Sequence, residues 1–190
     1  GLEIHAQLDT QRKLFCNCPT QLRIDPPDYE VIRYFRPVMG ELGTFDPALL
    51  IEYEKRYQIV YEGHYETTCT YELDETPPFP MNQEALTKAF MLATLLHMKV
   101  PHELHVCRKN YIDGSVPTGF QRTFLIGFDG YIDLKKERKR LPIQYLYLEE
   151  DAARKNKEKS QKKTIYYRID RFGIPLVEIV TAPELTTPQE

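Results

Sequence analysis

The chain has no tryptophan, no uninterrupted apolar run of about 20 residues and no signal-peptide pattern. The second absence excludes a membrane-spanning helix, and the third excludes secretion as the default. Only four cysteines are present, at 16, 18, 69 and 107, with no C-x-x-C. They are too sparse and irregular for a disulfide framework, which fits a reducing compartment. No internal repeat is visible, so repeat architectures drop out. The expectation is a soluble cytoplasmic protein with no membrane contact. Within 190 residues, 42% are hydrophobic, and 13 tyrosines and 9 phenylalanines supply the large core side chains. That suffices for one full domain, or one domain with a small appendage. The chain begins on Gly1 rather than Met and ends in Thr187-Pro188-Gln189-Glu190, which reads as a helix start. It is therefore read as an excerpt from a longer polypeptide.

Charge is present but unevenly spread. Residues 135–163 hold 11 of the 25 Lys and Arg beside five acids, so the remainder carries a net charge of −9 against −3 for the whole chain. A basic arm on an acidic body can contact nucleic-acid phosphates or can be a solvated loop.

The patterning is that of an α+β protein, mainly antiparallel, with helices on one side of the sheet. Residues 1–8 alternate, with Leu2, Ile4, Ala6 and Leu8 on one face and Glu3, His5 and Gln7 on the other. The segment 25–45, rich in Pro and Gly, predicts irregular structure. Asp46-Pro47 opens a helix to about Tyr57, and β character returns over 58–74. Asn82 opens the clearest helix, 83–98, with an apolar stripe of Leu86, Ala89, Phe90, Ala93 and Leu96. Strands follow at 102–109 and 119–128, with Asp129-Gly130 predicting a hairpin and 131–134 its return arm. Further strands are expected at 143–150, 164–170 and 174–181 around the charged link 153–163.

Acidic residues inside apolar strands are the unusual feature, because a buried carboxylate is costly unless paired, hydrogen-bonded or bound to a cation. Glu3 and His5 project side by side from the first strand. In Leu148-Glu149-Glu150-Asp151, Glu149 and Asp151 face one way, while Glu150 shares a face with Leu146 and Leu148. Glu178 lies between Leu176-Val177 and Ile179-Val180. Hard oxygen donors with one imidazole suit Mg²⁺ beside phosphates, so Glu3, His5, Glu150 and Glu178 are the candidate ligands. Arg108, Lys109, Arg122 and Arg171 are candidate cations for a transferred phosphoryl group, or ordinary ion-pair partners. Cys16-Asn17-Cys18 is half of a zinc pattern. Cys69 is a possible third ligand, and the fourth is Glu66, His64 or missing.

Several stretches, in order, resemble the GatB/GatE amidotransferase family. They are Gly1-Leu2-Glu3-Ile4-His5-Ala6-Gln7-Leu8, Lys13-Leu14-Phe15-Cys16-Asn17-Cys18-Pro19, Leu148-Glu149-Glu150-Asp151-Ala152-Ala153-Arg154 and Asp170-Arg171-Phe172-Gly173-Ile174-Pro175-Leu176-Val177-Glu178-Ile179. Arg36-Pro37-Val38-Met39-Gly40-Glu41-Leu42-Gly43 and Tyr71-Glu72-Leu73-Asp74-Glu75-Thr76-Pro77-Pro78 are closer to the archaeal E branch than to the bacterial B branch. The resemblance implies a cradle of sheets similar to glutamine synthetase, spanning 1–190, without the inserted synthetase-like domain and helical tail of the E branch. It implies ATP-dependent phosphorylation of the glutamyl carboxylate of Glu-tRNA(Gln), then attack by ammonia from an asparaginase-like D subunit, in a heterotetramer of two D and two E subunits. On the family pattern the Mg²⁺ positions are Glu3, His5, Glu150 and Glu178, with Glu150, Glu178 and Arg171 catalytic and Arg108, Lys109 and Arg122 toward ATP. The pattern departs at Val116, where Asn is expected, and in the zinc cluster, which is incomplete. Two other readings stand beside this one: another ATP-dependent carboxylate-amine ligase, and a non-catalytic tRNA-binding module.

Overall fold

A computed structural model describes residues 1–136 and 138–187, so the expected helix start at Thr187-Pro188-Gln189-Glu190 lies almost wholly outside the described residues. In chain order the elements are β1 (Glu3–Gln7), β2 (Tyr29–Tyr34), α1 (Pro47–Glu54), β3 (Gln58–Gly63), α2 (Gln83–Leu95), β4 (Cys107–Asn110), β5 (Phe120–Leu134), β6 (Lys139–Glu150), β7 (Arg154–Lys155), β8 (Thr164–Arg168) and β9 (Pro175–Thr181). They form two sheets. One is antiparallel with strand order β1-β9-β6-β5-β4, and the other runs β2-β3-β8-β7 with a parallel β3–β8 pair. The α+β, antiparallel-rich class is as the patterning predicts. No helix among the described residues is long and apolar enough to cross a membrane.

The five-stranded sheet has two unlike faces. α2 covers one of them. Its N-cap is Asn82, whose side chain accepts from Glu84 N and Ala85 N, and its inner stripe is Ala85, Ala89 and Ala93, all fully buried. Three alanines at four-residue spacing let the helix axis approach the strands closely. Phe124, Ile126, Leu146, Leu148 and Val177 fill the interface from the sheet side, joined by Leu14, Phe15, Cys16 and Tyr71. Burying one Leu side chain of this kind contributes roughly 1.5–3 kcal/mol, so this face anchors the fold. A second core, around Leu49 of α1, Ile59, Tyr61, Tyr167, Ile169 and Phe172, lies on the four-stranded sheet. Lys13 connects the parts from inside. Its fully buried ammonium donates to Glu72 at 2.8 Å, Thr67 O at 3.0 Å and Ile169 O at 3.4 Å.

The structure departs from the patterning in three places. Asp129-Gly130 is not a hairpin: β5 runs through it to Leu134, and the turn lies beyond, before β6. Gly130 answers a different need, because a Cβ there would sit 2.4 Å from the carbonyl oxygen of Leu96, where α2 ends and accepts from Tyr131 N. Within 25–45, Tyr29–Tyr34 is a strand, its alternating half-buried residues paired with β3, despite the flanking prolines. Within 58–74 and 102–109, only Gln58–Gly63 and the strand beginning at Cys107 are extended. The segment after Gly63 instead forms turns that carry Glu72 to the buried Lys13.

Candidate active site

The first and last strands are neighbours, and that pairing builds the site. In the β1–β9 register His5 lies opposite Glu178, and in the β6–β9 register Tyr147 lies opposite Glu178 while Glu149 lies opposite Leu176. Alternation therefore projects His5, Glu178, Tyr147 and Glu149 onto one face, the face away from α2. Lys109 of β4 and Thr123 of β5 share it, since Thr123 lies opposite Glu149 and Lys109 opposite Gln121. Lys109 Nζ bridges the two carboxylates, at 3.0 Å from Glu178 Oε2 and 3.3 Å from Glu149 Oε1. His5 Nε2 lies 3.6 Å from Glu178 Oε2, and Thr123 Oγ1 donates to Glu149 Oε1 at 3.3 Å.

The electrostatics of this group follow from crowding. Burial pushes the Glu149 carboxyl above its ordinary value, reinforced by the hydrogen bond it shares with Glu178. Burial would raise Glu178 as well, but hydrogen bonds from Glu149 and Lys109 outweigh it and hold Glu178 low. The two thus act as a pair, with the proton on Glu149 and the charge on Glu178. Burial works against the Lys109 ammonium, yet the two carboxylates hold its pKa up.

One ligand atom each from His5, Glu149 and Glu178 lies within 4.8 Å of the others, which suits a divalent ion. One imidazole and two carboxylates are enough for Mg²⁺, which keeps several waters. The ammonium of Lys109 rests on the same oxygens, so it supplies a positive charge where an ion would.

The structure separates the residues named from sequence. His5 and Glu178 meet. Glu3 shares their face, opposite Val180, but is exposed and stands outside the group. Glu150 points to the other side. It is fully buried, accepts from Tyr71 Oη, and lies 3.5 Å from Arg122 Nη1. The apolar residues that share its parity, Leu146 and Leu148, belong to the face covered by α2, so the neighbouring Glu149 takes its place in the group. Arg122 is held with Glu150, its guanidinium over Phe15, Tyr71 and Phe120 at 5.2–5.9 Å. Arg108, one step from Lys109, turns away to Glu41 at 2.5 Å. Arg171 donates to Ala152 O at 2.7 Å and Ala153 O at 3.1 Å and faces Asp151, which in turn accepts from Gln7 Nε2 at 2.7 Å. It therefore braces the end of the open face. Buried Asp170 holds Arg154 at 2.5 Å and Arg23 N at 2.7 Å, a structural part. Sequence patterning does not single out Thr123 or Tyr71. Only the register of β5 and the turns after β3 reveal them.

A second donor group lies in the α2 core. Cys16, Cys18, Cys69 and Glu72 place one ligand atom each within 4.8 Å of one another. The fourth member is Glu72, which lies 3.3 Å from Cys16 Sγ, rather than Glu66 or His64. Glu66 is exposed and paired with Arg23, and His64 faces the Pro26 carbonyl at 3.1 Å. Hydrogen bonds from Cys16 and Cys18 pull the Cys69 thiol down. Three sulfurs and a carboxylate are a donor set that fits zinc.

Residues 1–190 match a family model described as the GatB/GatE catalytic domain. The chain belongs to the GatB/GatE family. It is 49% identical, over its full length, to the glutamyl-tRNA(Gln) amidotransferase E subunit of Methanocaldococcus jannaschii, covering 29% of that protein. It is 47% identical to the E subunit of Methanothermobacter thermautotrophicus and 46% to that of Pyrobaculum neutrophilum, again over the whole chain, covering 30% and 31% of them. The chain thus spans less than a third of the length of these relatives. Its full-length GatB/GatE match and the likeness to E subunits agree with the resemblance carried by its motifs.

Proposed function

We propose that this domain carries the ATP-dependent step by which Glu-tRNA(Gln) becomes Gln-tRNA(Gln), within a longer chain partnered by an asparaginase-like subunit that supplies ammonia. The observation that carries this reading is the group of His5, Glu149, Glu178 and Lys109 on an uncovered sheet face, in a family whose relatives bear that activity in their names. A glutamyl carboxylate resists ammonia because oxide is a poor leaving group. Attack of a carboxylate oxygen on the γ-phosphorus of ATP, with ADP departing, gives an acyl phosphate. Ammonia then adds to the carbonyl carbon and phosphate leaves. Mg²⁺ held by His5, Glu149 and Glu178 would neutralise phosphate charge.

The chain's own groups do the rest. Lys109 offers an ammonium to the phosphate oxygens. Glu149, its pKa raised by burial, is suited to take a proton from the incoming nitrogen nearer neutrality than an ordinary carboxylate. Arg171, through Asp151 and Gln7, holds the end of the face in place. The thiol group and Glu72 are read as a structural zinc site that ties the Cys16 loop to the turns after β3. The basic stretch is largely occupied internally, with Lys159 on buried Glu62 at 2.5 Å and Arg154 on Asp170, so a purely electrostatic RNA-binding role is the weaker reading.

The test uses the full-length chain in its complex. ADP formation from ATP should require both Mg²⁺ and Glu-tRNA(Gln), and Glu178→Gln should abolish it while Glu-tRNA binding is retained. ADP formation that free glutamate supports equally well would move the assignment to a small-acid ligase. Turnover surviving in Glu178→Gln would remove the carboxylate group from the chemistry.

A further inference from the structure

The carboxylate group occupies one end of the open face, and the strand that leads away from it carries two unused aromatic rings. Tyr147 and Tyr145 alternate along β6, so both stand on the Glu149 side of the sheet. Tyr147 is flanked by Leu125 and Glu178, and Tyr145 by Phe128 and Val180. Their ring centroids are 5.8 Å apart and the planes are tilted by 35°. Tyr145 is 43% exposed. Beside it lies a hollow of about 390 Å³ lined by Leu125, Phe128, Asp129, Gln144 and Tyr145. This is an apolar, aromatic floor with a carboxamide at its rim.

Three features choose the occupant. A nucleobase has a π-face for tyrosine and a polar edge for a carboxamide, and the Gln amide matches the donor–acceptor edge of adenine. The spacing suits a nucleotide: at roughly 3.3 Å per residue, Tyr147 stands about 7 Å and Tyr145 about 13 Å along β6 from Glu149. That covers the reach from a base to its terminal phosphate. The charge is graded accordingly, with Lys109 and the metal-competent carboxylates at the phosphate end and uncharged rings at the other. The hollow of about 290 Å³ near Arg33, Tyr61 and Val116 belongs to the other sheet and contains none of the carboxylate group.

We propose that Tyr145 and Tyr147 form the stacking platform for the adenine ring of ATP, with Gln144 reading its edge and the triphosphate running along β6 toward Lys109. This rests on the ATP-dependent reading above. In the full-length complex, with Mg²⁺ present, Tyr145→Ala should raise the Kd and KM for ATP about tenfold and leave the KM for Glu-tRNA(Gln) alone, while Tyr145→Phe keeps wild-type values. Gln144→Leu should narrow the preference for ATP over GTP, a readout that needs no loss of the ring. Unchanged ATP affinity in Tyr145→Ala and unchanged base preference in Gln144→Leu, in an enzyme that still consumes ATP, would overturn the platform and spare the reaction. A shift confined to the KM for Glu-tRNA(Gln) would assign the rings to the RNA end instead, also overturning it. A wild-type complex that neither binds nor consumes ATP would overturn both readings.

Discussion

Glu149 and Glu150 are adjacent, chemically identical and almost equally buried, yet they belong to different parts of the molecule. Glu150 faces α2, where Tyr71, Arg122 and the backbone N–H of Arg122 satisfy its oxygens. Glu149 faces outward, where its partners are a half-exposed lysine and a second carboxylate. A carboxylate satisfied by the protein is part of the scaffold. One that shares a proton and a counter-ion with exposed groups can exchange those partners for substrate or metal. The pleat of a single strand makes the distinction, and burial by itself does not reveal it.

The sharpest way to break this contrast is to exchange charge for amide at each position. Glu149→Gln, like Glu178→Gln, should lower turnover of the full-length complex by about 100-fold or more, while Glu150→Gln stays within several-fold of wild type. A Glu150→Gln enzyme that folds normally but is inactive would reverse the assignment. Stability should show the mirror image. Glu150→Ala leaves Arg122 and Tyr71 buried without their acceptor and should cost about 3 kcal/mol in urea unfolding, whereas Glu149→Ala, whose lysine partner reaches solvent, should cost about 1 kcal/mol or less.

The smallest effect is in the pH dependence. Burial raises the Glu150 carboxyl in the folded state, opposed by Tyr71 and Arg122. The folded form therefore holds the proton after the unfolded chain has lost it. Wild type should lose stability relative to Glu150→Gln as pH rises above the ordinary carboxylate value of 4.5. Glu178 is held low in spite of its burial, so its contribution is present above 4.5 and is lost as pH falls through the folded value. Urea melts of the two amide variants should diverge from wild type in opposite directions. Parallel pH profiles would mean that the two carboxylates share one environment.

Much of this fold is local and legible in the sequence. The Asn82 cap, the alanine stripe of the following helix and the alternation in 1–8 each encode their element within a few residues. Asp129-Gly130 misleads because glycine there serves a close approach of α2, a tertiary fact that looks like a turn signal. The strand at Tyr29–Tyr34 is hidden by neighbouring prolines, which lie just outside it. At the site, Glu178 is conspicuous because a lone acid inside an apolar run has a cost that function must justify. His5 is recognisable as its companion through the family pattern. Thr123 and Tyr71 give no signal, being ordinary residues until a strand or turn brings them to a carboxylate.

By itself the sequence determined that acidic groups would be buried in strands, that the class would be α+β and that Glu149 and Glu150 would face opposite ways, since all three follow from composition and a period of two. Only the tertiary structure decided which of the two carboxylates joins Glu178. That depends on which face α2 covers and on β1 pairing with β9 across 173 residues of chain, from His5 to Glu178. Such long-range contacts are set by the whole core, and no local pattern specifies them.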